Sequence, residues 1–450
     1  MNRSDEYEKK RDALVEVFRR RLAEQKGPIG LHKKTSNLFR TRHRGQLDVR
    51  SFNRVISIDP MGRFAEVEGM ITYEALVSAT LKHNCLPPVV PQLKTITVGG
   101  ALVGLGIESS SFRYGLVHET ILEVEVLTGE GKLVSCTPNN EHSDLFFALP
   151  NSYGTLGYAL KIKMELIPAK KFIKTTNLRF DNIHLYFKTL KDLCLHTKAP
   201  FIDGVIFSSA EMYVILGEFV DEVPYLDDYT YLKIYYKSIQ EKRSSYLTVY
   251  DYIWRWDADW FWCSKHFGMN HPILRLLFGK FVLSSYGYWK LSRSRFLKAL
   301  SSLFTQRTES VIQDILVPVD RSPEFYEFFR KSIGIAPIWI CPFHFYHPKT
   351  IYPLFPVDPT VLYMDFGFWD TVPSNLPNGY LNRLIEREAE RLGAFKSLYS
   401  DSFYTEEEFW RVHSKAAFNQ LKAQYDPNAA FKDLYKKCVG DRKSSGPEGD

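Results

Sequence analysis

Between Pro91 and Gly115 the chain carries four glycines in eight residues (Gly99, Gly100, Gly104 and Gly106), followed by three serines, Ser109, Ser110 and Ser111. A run this poor in side chains lets the backbone approach a ligand closely and adopt positive φ. Successive N–H groups in such a segment can form a nest for an anion, with Thr and Ser hydroxyls as uncharged donors. It is neither of the common nucleotide loops. A Walker A motif needs Lys-Ser/Thr after its last glycine, and a Rossmann fingerprint needs GxGxxG between a strand and a helix. From the residues alone two readings stand: a cradle for a diphosphate, or a turn of small residues packed against a helix.

At 450 residues the chain exceeds one compact core, and two domains are expected. Its 15% aromatic content, with 32 Phe, 26 Tyr and 8 Trp, suits a large core or a pocket for a bulky apolar ligand. A net charge of +6 is mild, and no basic cluster is interleaved with aromatics, so no nucleic-acid partner is expected. Cys85, Cys136, Cys194, Cys263, Cys341 and Cys438 are scattered without a CxxC pair. That argues against a disulfide framework and against a metal site, and fits a reducing compartment. Met1 to Gln25 is charged throughout, and no window reaches the roughly 18–20 apolar residues of a bilayer span. The expectation is a cytoplasmic protein, or one peripheral on a cytoplasm-facing membrane.

Periodicity then divides the chain. Residues 5–26 read as an amphipathic helix with Leu14, Phe18 and Leu22 on one stripe. Short strands at 54–59, 64–68, 120–128 and 132–137 surround one helix at 72–84, and Gly129-Glu130-Gly131 marks a hairpin. In 158–167, Leu160, Ile162, Met164 and Leu166 alternate with Lys161, Lys163 and Glu165, the pattern of a half-buried strand. Beyond Pro168 the order strand, helix, strand, strand over 172–217 returns at 310–317, 322–333, 336–343 and 360–367, without sequence repetition. Thr405 to Glu408 opens a last helix as a capping box. The fold class is α+β. Expected units are 1–170, 171–400 with an aromatic-rich insertion at 246–290, a C-terminal return at 401–438, and a disordered tail at 440–450.

Thr97-Val98-Gly99-Gly100, with Tyr114-Gly115 closing the segment, resembles the flavin-binding signature of the vanillyl-alcohol-oxidase, or PCMH-type, FAD-binding family. Ser143 to Phe146, Gly154 to Gly157, and Tyr425-Asp426-Pro427 with Phe431 and Tyr435 resemble further elements in that family's order. The resemblance implies a PCMH-type FAD-binding domain and a second α+β cap domain built on an antiparallel sheet. It implies that FAD lies against Thr95, Thr97, Val98, Gly99, Gly100, Ala101, Leu102, Val103, Gly104, Leu105, Gly106, Ile107, Glu108, Ser109, Ser110, Tyr114 and Gly115. Gly154, Gly157 and Ile162 complete the implied set, the second glycine pair near the adenine end. The family often attaches flavin through a His in a glycine-rich loop. The matching stretch here, Thr35 to Gly45, has one glycine and His43, so FAD is expected to be non-covalent, with Arg40 or Arg42 near the diphosphate.

A closer resemblance is to the Δ24-sterol reductases. It is carried by Thr97 to Ser110, Ile167 to Lys171, Gln313 to Pro318, Pro337 to Pro342 and Glu407 to Trp410. Those enzymes have an N-terminal membrane anchor with no counterpart in this sequence. Soluble actinobacterial relatives, which reduce the methylene branch of a lipid-bound fatty acyl chain, are similar too. The resemblance implies reduction of an isolated lipid C=C bond, with NADPH recharging FAD. Such an alkene has no carbonyl to accept charge, so the protein must supply a Brønsted acid and an aromatic pocket. Asp314, between Ile312 and Leu316, is the first candidate acid. Tyr363 and Asp365, on one face of a strand, come second, Cys341 and His344 third, and Asp401 last. For each, the competing reading is an ion-paired or packed structural residue.

The segment from Tyr250 to Trp289 holds five of the eight tryptophans. It reads as an interfacial membrane anchor beside a lipid-entry mouth, or as an aromatic cap core. A flavin-dependent alcohol or sugar oxidase and an inactive flavin-fold lipid-binding protein stand as alternative functions, because fold alone permits many chemistries.

Overall fold

A computed structural model describes residues 3–24, 27–33, 47–291 and 307–440. Arg40, Arg42, His43 and the expected tail from residue 441 lie outside the described residues. Helix α1 (Arg3–Ala23) buries Tyr7, Leu14, Val15 and Phe18. They pack with Phe52, Leu127, Tyr158 and Phe431 of the protein's own first layer.

That layer is a five-stranded antiparallel sheet of β1 (Val55–Asp59), β2 (Phe64–Glu68), β3 (Ile121–Leu127), β4 (Leu133–Cys136) and β5 (Tyr158–Glu165). Its order is β1-β2-β5-β3-β4. Along β5, Tyr158, Leu160, Ile162 and Met164 are buried, as the alternation predicts. The other face is a charge ladder: Lys161 lies opposite Glu68 and Glu125, and Lys163 opposite Glu66 and Glu123. Opposite charges placed so contribute roughly 0.2–1 kcal/mol each. Helix α1 rests on this face, with Lys10 paired to Glu68 and Arg11 to Glu125. Between β2 and β3 come α2 (Tyr73–Thr80), capped by the Thr72 side chain, and the short α3 (Val98–Val103).

The second sheet has eight strands. In chain order come β6 (Phe172–Phe180), α4 (Ile183–His196), β7 (Phe201–Ser208), β8 (Glu211–Val220), β9 (Ser244–Thr248) and α5 (Pro272–Val282). There follow β10 (Thr308–Pro318), α6 (Ser322–Ser332), β11 (Ile338–Phe343), β12 (Tyr363–Pro373), α7 (Tyr380–Arg391) and β13 (Phe395–Lys396). The sheet order is β9-β6-β8-β7-β11-β12-β10-β13, antiparallel throughout. The echo of element order is therefore spatial. Two strand–helix–strand–strand units meet at β7 and β11, where Val205 pairs with Trp339, and each runs outward in the same order.

Helices α4, α6 and α7 cover one face, burying Phe187, Phe325, Phe329 and Ile385 against Val311, Ile315, Ile340 and Phe366. Alternation turns Asp314, Leu316, Trp339, Cys341, Tyr363 and Asp365 to the other face. That face meets the first layer: Leu105 and Leu116 pack with Leu316, Phe343 and Tyr363.

The chain then returns to the first sheet. Helix α8 (Glu406–Val412) opens with the predicted capping box, Thr405 and Glu408 exchanging side-chain bonds with each other's amides. The Gly129 amide in the β3–β4 hairpin donates to the Tyr425 carbonyl at 2.8 Å. The Asp426 carboxylate accepts from the amides of Ala430 and Phe431. Among the described residues no helix is long and apolar enough to cross a membrane.

Candidate active site

The first part of the glycine segment, Val98–Val103, is a short helix, and Gly104 to Ser110 continues as turns and irregular chain. Thr97 caps α3, its Oγ1 accepting from the Gly100 amide at 3.3 Å. The amides of Val98, Gly99 and Ala101 donate to the carbonyls of Ile71, Gly69 and Thr97. The first-turn donors are thus spent inside the protein. The glycines serve two other ends. A Cβ on Gly99 would sit 2.7 Å from the Gly69 carbonyl oxygen, so its absence lets α3 lie on the backbone of the preceding turn. A Cβ on Gly100 would meet only Thr97 Oγ1, at 2.9 Å.

Val98, Ala101, Leu102 and Leu105 face the core, whereas Gly99, Gly100, Val103, Gly104, Gly106 and Ile107 stay partly exposed. Helix α3 therefore presents a nearly side-chain-free face. On the approach to it, both ends of the buried Gln92 amide and Thr95 Oγ1 have no partner among the described residues. A flat ligand edge carrying its own donors and acceptors, such as the isoalloxazine of FAD, fits that combination.

Other residues of the implied set do different work. Ser110 Oγ donates to the Pro88 carbonyl at 2.7 Å and Ser109 Oγ to Glu108 at 2.5 Å. Glu108 itself accepts from Arg255 at 3.2 Å. All are buried, and the side chains of Glu108, Ser109 and Ser110 are engaged within the protein. Ile162 is core, opposite Val67 and Val124 in the sheet. Gly157 packs on Val126 and Leu127, and the Tyr114 ring lies 5.8 Å from Tyr346. Gly115, at φ +68°, sits against the Glu119 carboxylate, which accepts from the Leu116, Tyr346 and His347 amides.

One feature escaped the sequence reading. Asn151, Tyr153 and Gly154 all adopt positive φ, at 61°, 51° and 73°. The Tyr153 amide donates to the Val103 carbonyl, which joins this strained loop to the end of α3. Asn151 Nδ2 donates to the Leu354 carbonyl at 2.7 Å, while its Oδ1, buried, is without a partner among the described residues. Only Gly154 signalled the loop in advance.

The helix-free face of the second sheet carries the candidate acids. Asp314 on β10 lies opposite Gly367 of β12, two residues beyond Asp365. Burial pushes the Asp314 carboxyl up to about 7, against a hydrogen bond from Tyr399 and the charge of Lys396. The Trp369 indole in turn donates to the Tyr399 hydroxyl at 3.0 Å. Asp365 is buried, and neither of its carboxylate oxygens has a partner among the described residues. Burial, then the Asp314 charge, hold its carboxyl well above the ordinary range. Two carboxyls placed so titrate as a pair. The Tyr363 hydroxyl accepts from the Asp358 amide at 3.0 Å, and its ring stacks on Phe343. Cys341 is buried opposite Asp365. His344 donates its backbone amide to the Ser111 carbonyl, and Asp401 is half-buried after β13.

The first layer and the second sheet are pinned by one cation. Arg255 is fully buried and pairs with Glu108 beside α3 and with Asp203 on β7, at 3.2 and 2.9 Å. Asp203 also accepts from the indoles of Trp256 and Trp339. Arg255→Met would leave two buried carboxylates facing each other. It is expected to cost about 3–5 kcal/mol, read as a large fall in the thermal unfolding midpoint of the holoprotein. The same cluster places Trp254, Trp256, Trp260 and Trp262 of the aromatic segment in buried cap core.

Comparison with known proteins agrees with this geometry. The FAD binding domain family matches residues 28–137. The Delta(24)-sterol reductase of Mus musculus is 29% identical over 439 residues, covering 91% of this chain and 79% of the relative. That of Homo sapiens is 28% identical over the same span, and that of Pisum sativum 26% identical over 457 residues, 90% of this chain and 78% of the relative. The chain thus carries a match to the FAD binding domain over residues 28–137 and is similar to the Delta(24)-sterol reductases along nearly its whole length.

Proposed function

We propose that the protein reduces an isolated carbon–carbon double bond in a lipid, the Δ24 bond of a sterol, with NADPH as electron source. FAD would be held without a covalent bond on the open face of α3, by Thr95, Thr97, Gly99, Gly100, Gly104 and Gly106, with the loop 151–154 beside them. Reduced FAD, when bound, supplies a hydride to one alkene carbon. Everything else falls to the chain. The alkene must be protonated, and the positive charge that develops on carbon must be sheltered from water. Asp365 is the group suited to give the proton, its carboxyl raised by burial and by the Asp314 charge beside it. Trp339, Phe343, Tyr363 and Trp369 line the same sheet face, where ring faces favour a neighbouring cation.

The observation that carries this reading is the state of Asp365. Burial and a neighbouring carboxylate favour its protonated form, and neither oxygen has a partner among the described residues, which suits it to give a proton. An alcohol oxidase needs a base at that point instead. A sterol resides in bilayers, so the reading includes contact with a cytoplasm-facing membrane surface through the 246–290 insertion. The test offers the NADPH-supplied holoprotein a Δ24-sterol, a methylene-branched acyl lipid and a primary alcohol in turn. The expected result is a sterol product heavier by two hydrogens and no alcohol oxidation. Turnover of the acyl lipid alone would replace the sterol assignment, and alcohol oxidation without alkene reduction would overturn the whole reading.

A further inference from the structure

The Trp-rich stretch is buried, yet the same insertion carries a helix turned inside out. Along α5 the residues facing the protein are Arg275 and Gly279, and both are buried. Arg275 is enclosed by Asp259, at 2.6 Å, and by the backbone carbonyls of Tyr231 and Lys233. The residues facing out are Ile273, Leu276, Leu277, Phe278 and Phe281, with Phe281 80% and Ile273 61% exposed. A soluble helix has the reverse pattern. Leu232, beside the carbonyls that hold Arg275, extends the patch and is 57% exposed. A contiguous apolar surface of this kind marks an interaction site.

Charge indicates the occupant. Residues 260–291 contain no Asp or Glu, while Lys280 and Lys290 are exposed at the edge of the patch. Outward Leu, Ile and Phe bordered by lysines whose stems can reach sideways is the arrangement of a helix lying in the interface of an anionic bilayer. Just past its C-terminal end, Leu283 lines a cavity of about 70 Å³ with Lys94, Tyr250 and Trp254.

We infer that α5 is a docking helix that inserts its Ile273–Phe281 face into an anionic phospholipid surface. The inference deepens the lipid-reductase reading by placing where such a substrate is collected, and it rests on that reading only for the purpose of docking. Its test needs no turnover, so failure of one leaves the other legible. Holoprotein is floated with vesicles of phosphatidylcholine alone or with about 30% phosphatidylserine. Wild type is expected to float with the anionic vesicles. Phe278→Ser/Phe281→Ser, which alters only exposed side chains and should retain full flavin content, is expected to bind roughly tenfold or more weakly. Lys280→Glu/Lys290→Glu is expected to lose the preference for phosphatidylserine. Sedimentation velocity without lipid accompanies the assay. Wild type that ignores vesicles overturns the inference. In that event a dimer abolished by the Phe pair assigns the face to a second copy, and a monomer assigns it to cover from within the chain. Undiminished flotation of the Phe variant overturns it equally.

Discussion

Gly100→Trp is expected to purify folded and colourless. A Cβ at Gly100 meets Thr97 Oγ1 and nothing else within 4 Å, so an indole there has room to project outward from α3. The room it fills is the face assigned to FAD. Folding should survive while the visible flavin absorption of the purified protein disappears. Gly100→Ala is the control, because one methyl group displaces little beyond Thr97 Oγ1, and its flavin content should stay near that of wild type. Gly99→Ala should behave differently again. Its Cβ would press on the Gly69 carbonyl oxygen, a backbone atom that cannot swing away, and the expected loss is in stability. A Gly100→Trp protein with normal flavin content would remove α3 from the cofactor site.

Asp365→Asn is expected to slow alkene reduction about 10²- to 10⁴-fold, the usual worth of a general acid, while NADPH still reduces the flavin at the wild-type rate. The amide keeps the shape and loses the proton. The pH dependence carries a sign that distinguishes the pair. Activity should fall only at higher pH, as Asp365 ionises. Because the Asp314 charge raises the Asp365 carboxyl, Asp314→Asn should move that alkaline fall to lower pH. Wild-type alkene turnover in Asp365→Asn, or an unmoved profile in Asp314→Asn, would take the carboxyl pair out of the reaction.

Local pattern made much of this architecture legible, and long-range pairing hid the rest. The alternation of Leu160, Ile162 and Met164 with Lys161 and Lys163 is a short-range signal that sheet geometry enforces, and it predicted β5 well. The repeated order strand, helix, strand, strand was visible too. Its spatial meaning, two units joined at β7 and β11, required the pairing of Val205 with Trp339 across more than a hundred residues. The glycine segment was read as a loop, and its first part is a helix. Thr97 is a good N-cap, and three backbone bonds to Ile71, Gly69 and Thr97 with one to Thr97 Oγ1 spend the first-turn donors of the helix Val98–Val103.

Glu108 looked like part of the loop's chemistry, because nothing local reveals that Arg255 waits 147 residues away. Arg255, for its part, lay in a stretch whose tryptophans suggested a membrane margin. The exposed face proved to be α5, where a single arginine among Leu, Ile and Phe gives no hint that it points inward. Of the candidate acids, sequence brought out Asp314, Tyr363 and Asp365 together. Their order could not be set without knowing that Tyr399 and Lys396 attend Asp314 while Asp365 is enclosed without a partner among the described residues.

The most direct measurement is anaerobic. Holoprotein is bleached with one equivalent of NADPH and then mixed rapidly with a sterol bearing the Δ24 double bond. The expected result is return of the flavin's visible absorption at a rate that rises with sterol concentration, and no return with the saturated sterol. Flavin that stays bleached with the unsaturated sterol, and recovers only when oxygen is admitted, would contradict the assignment.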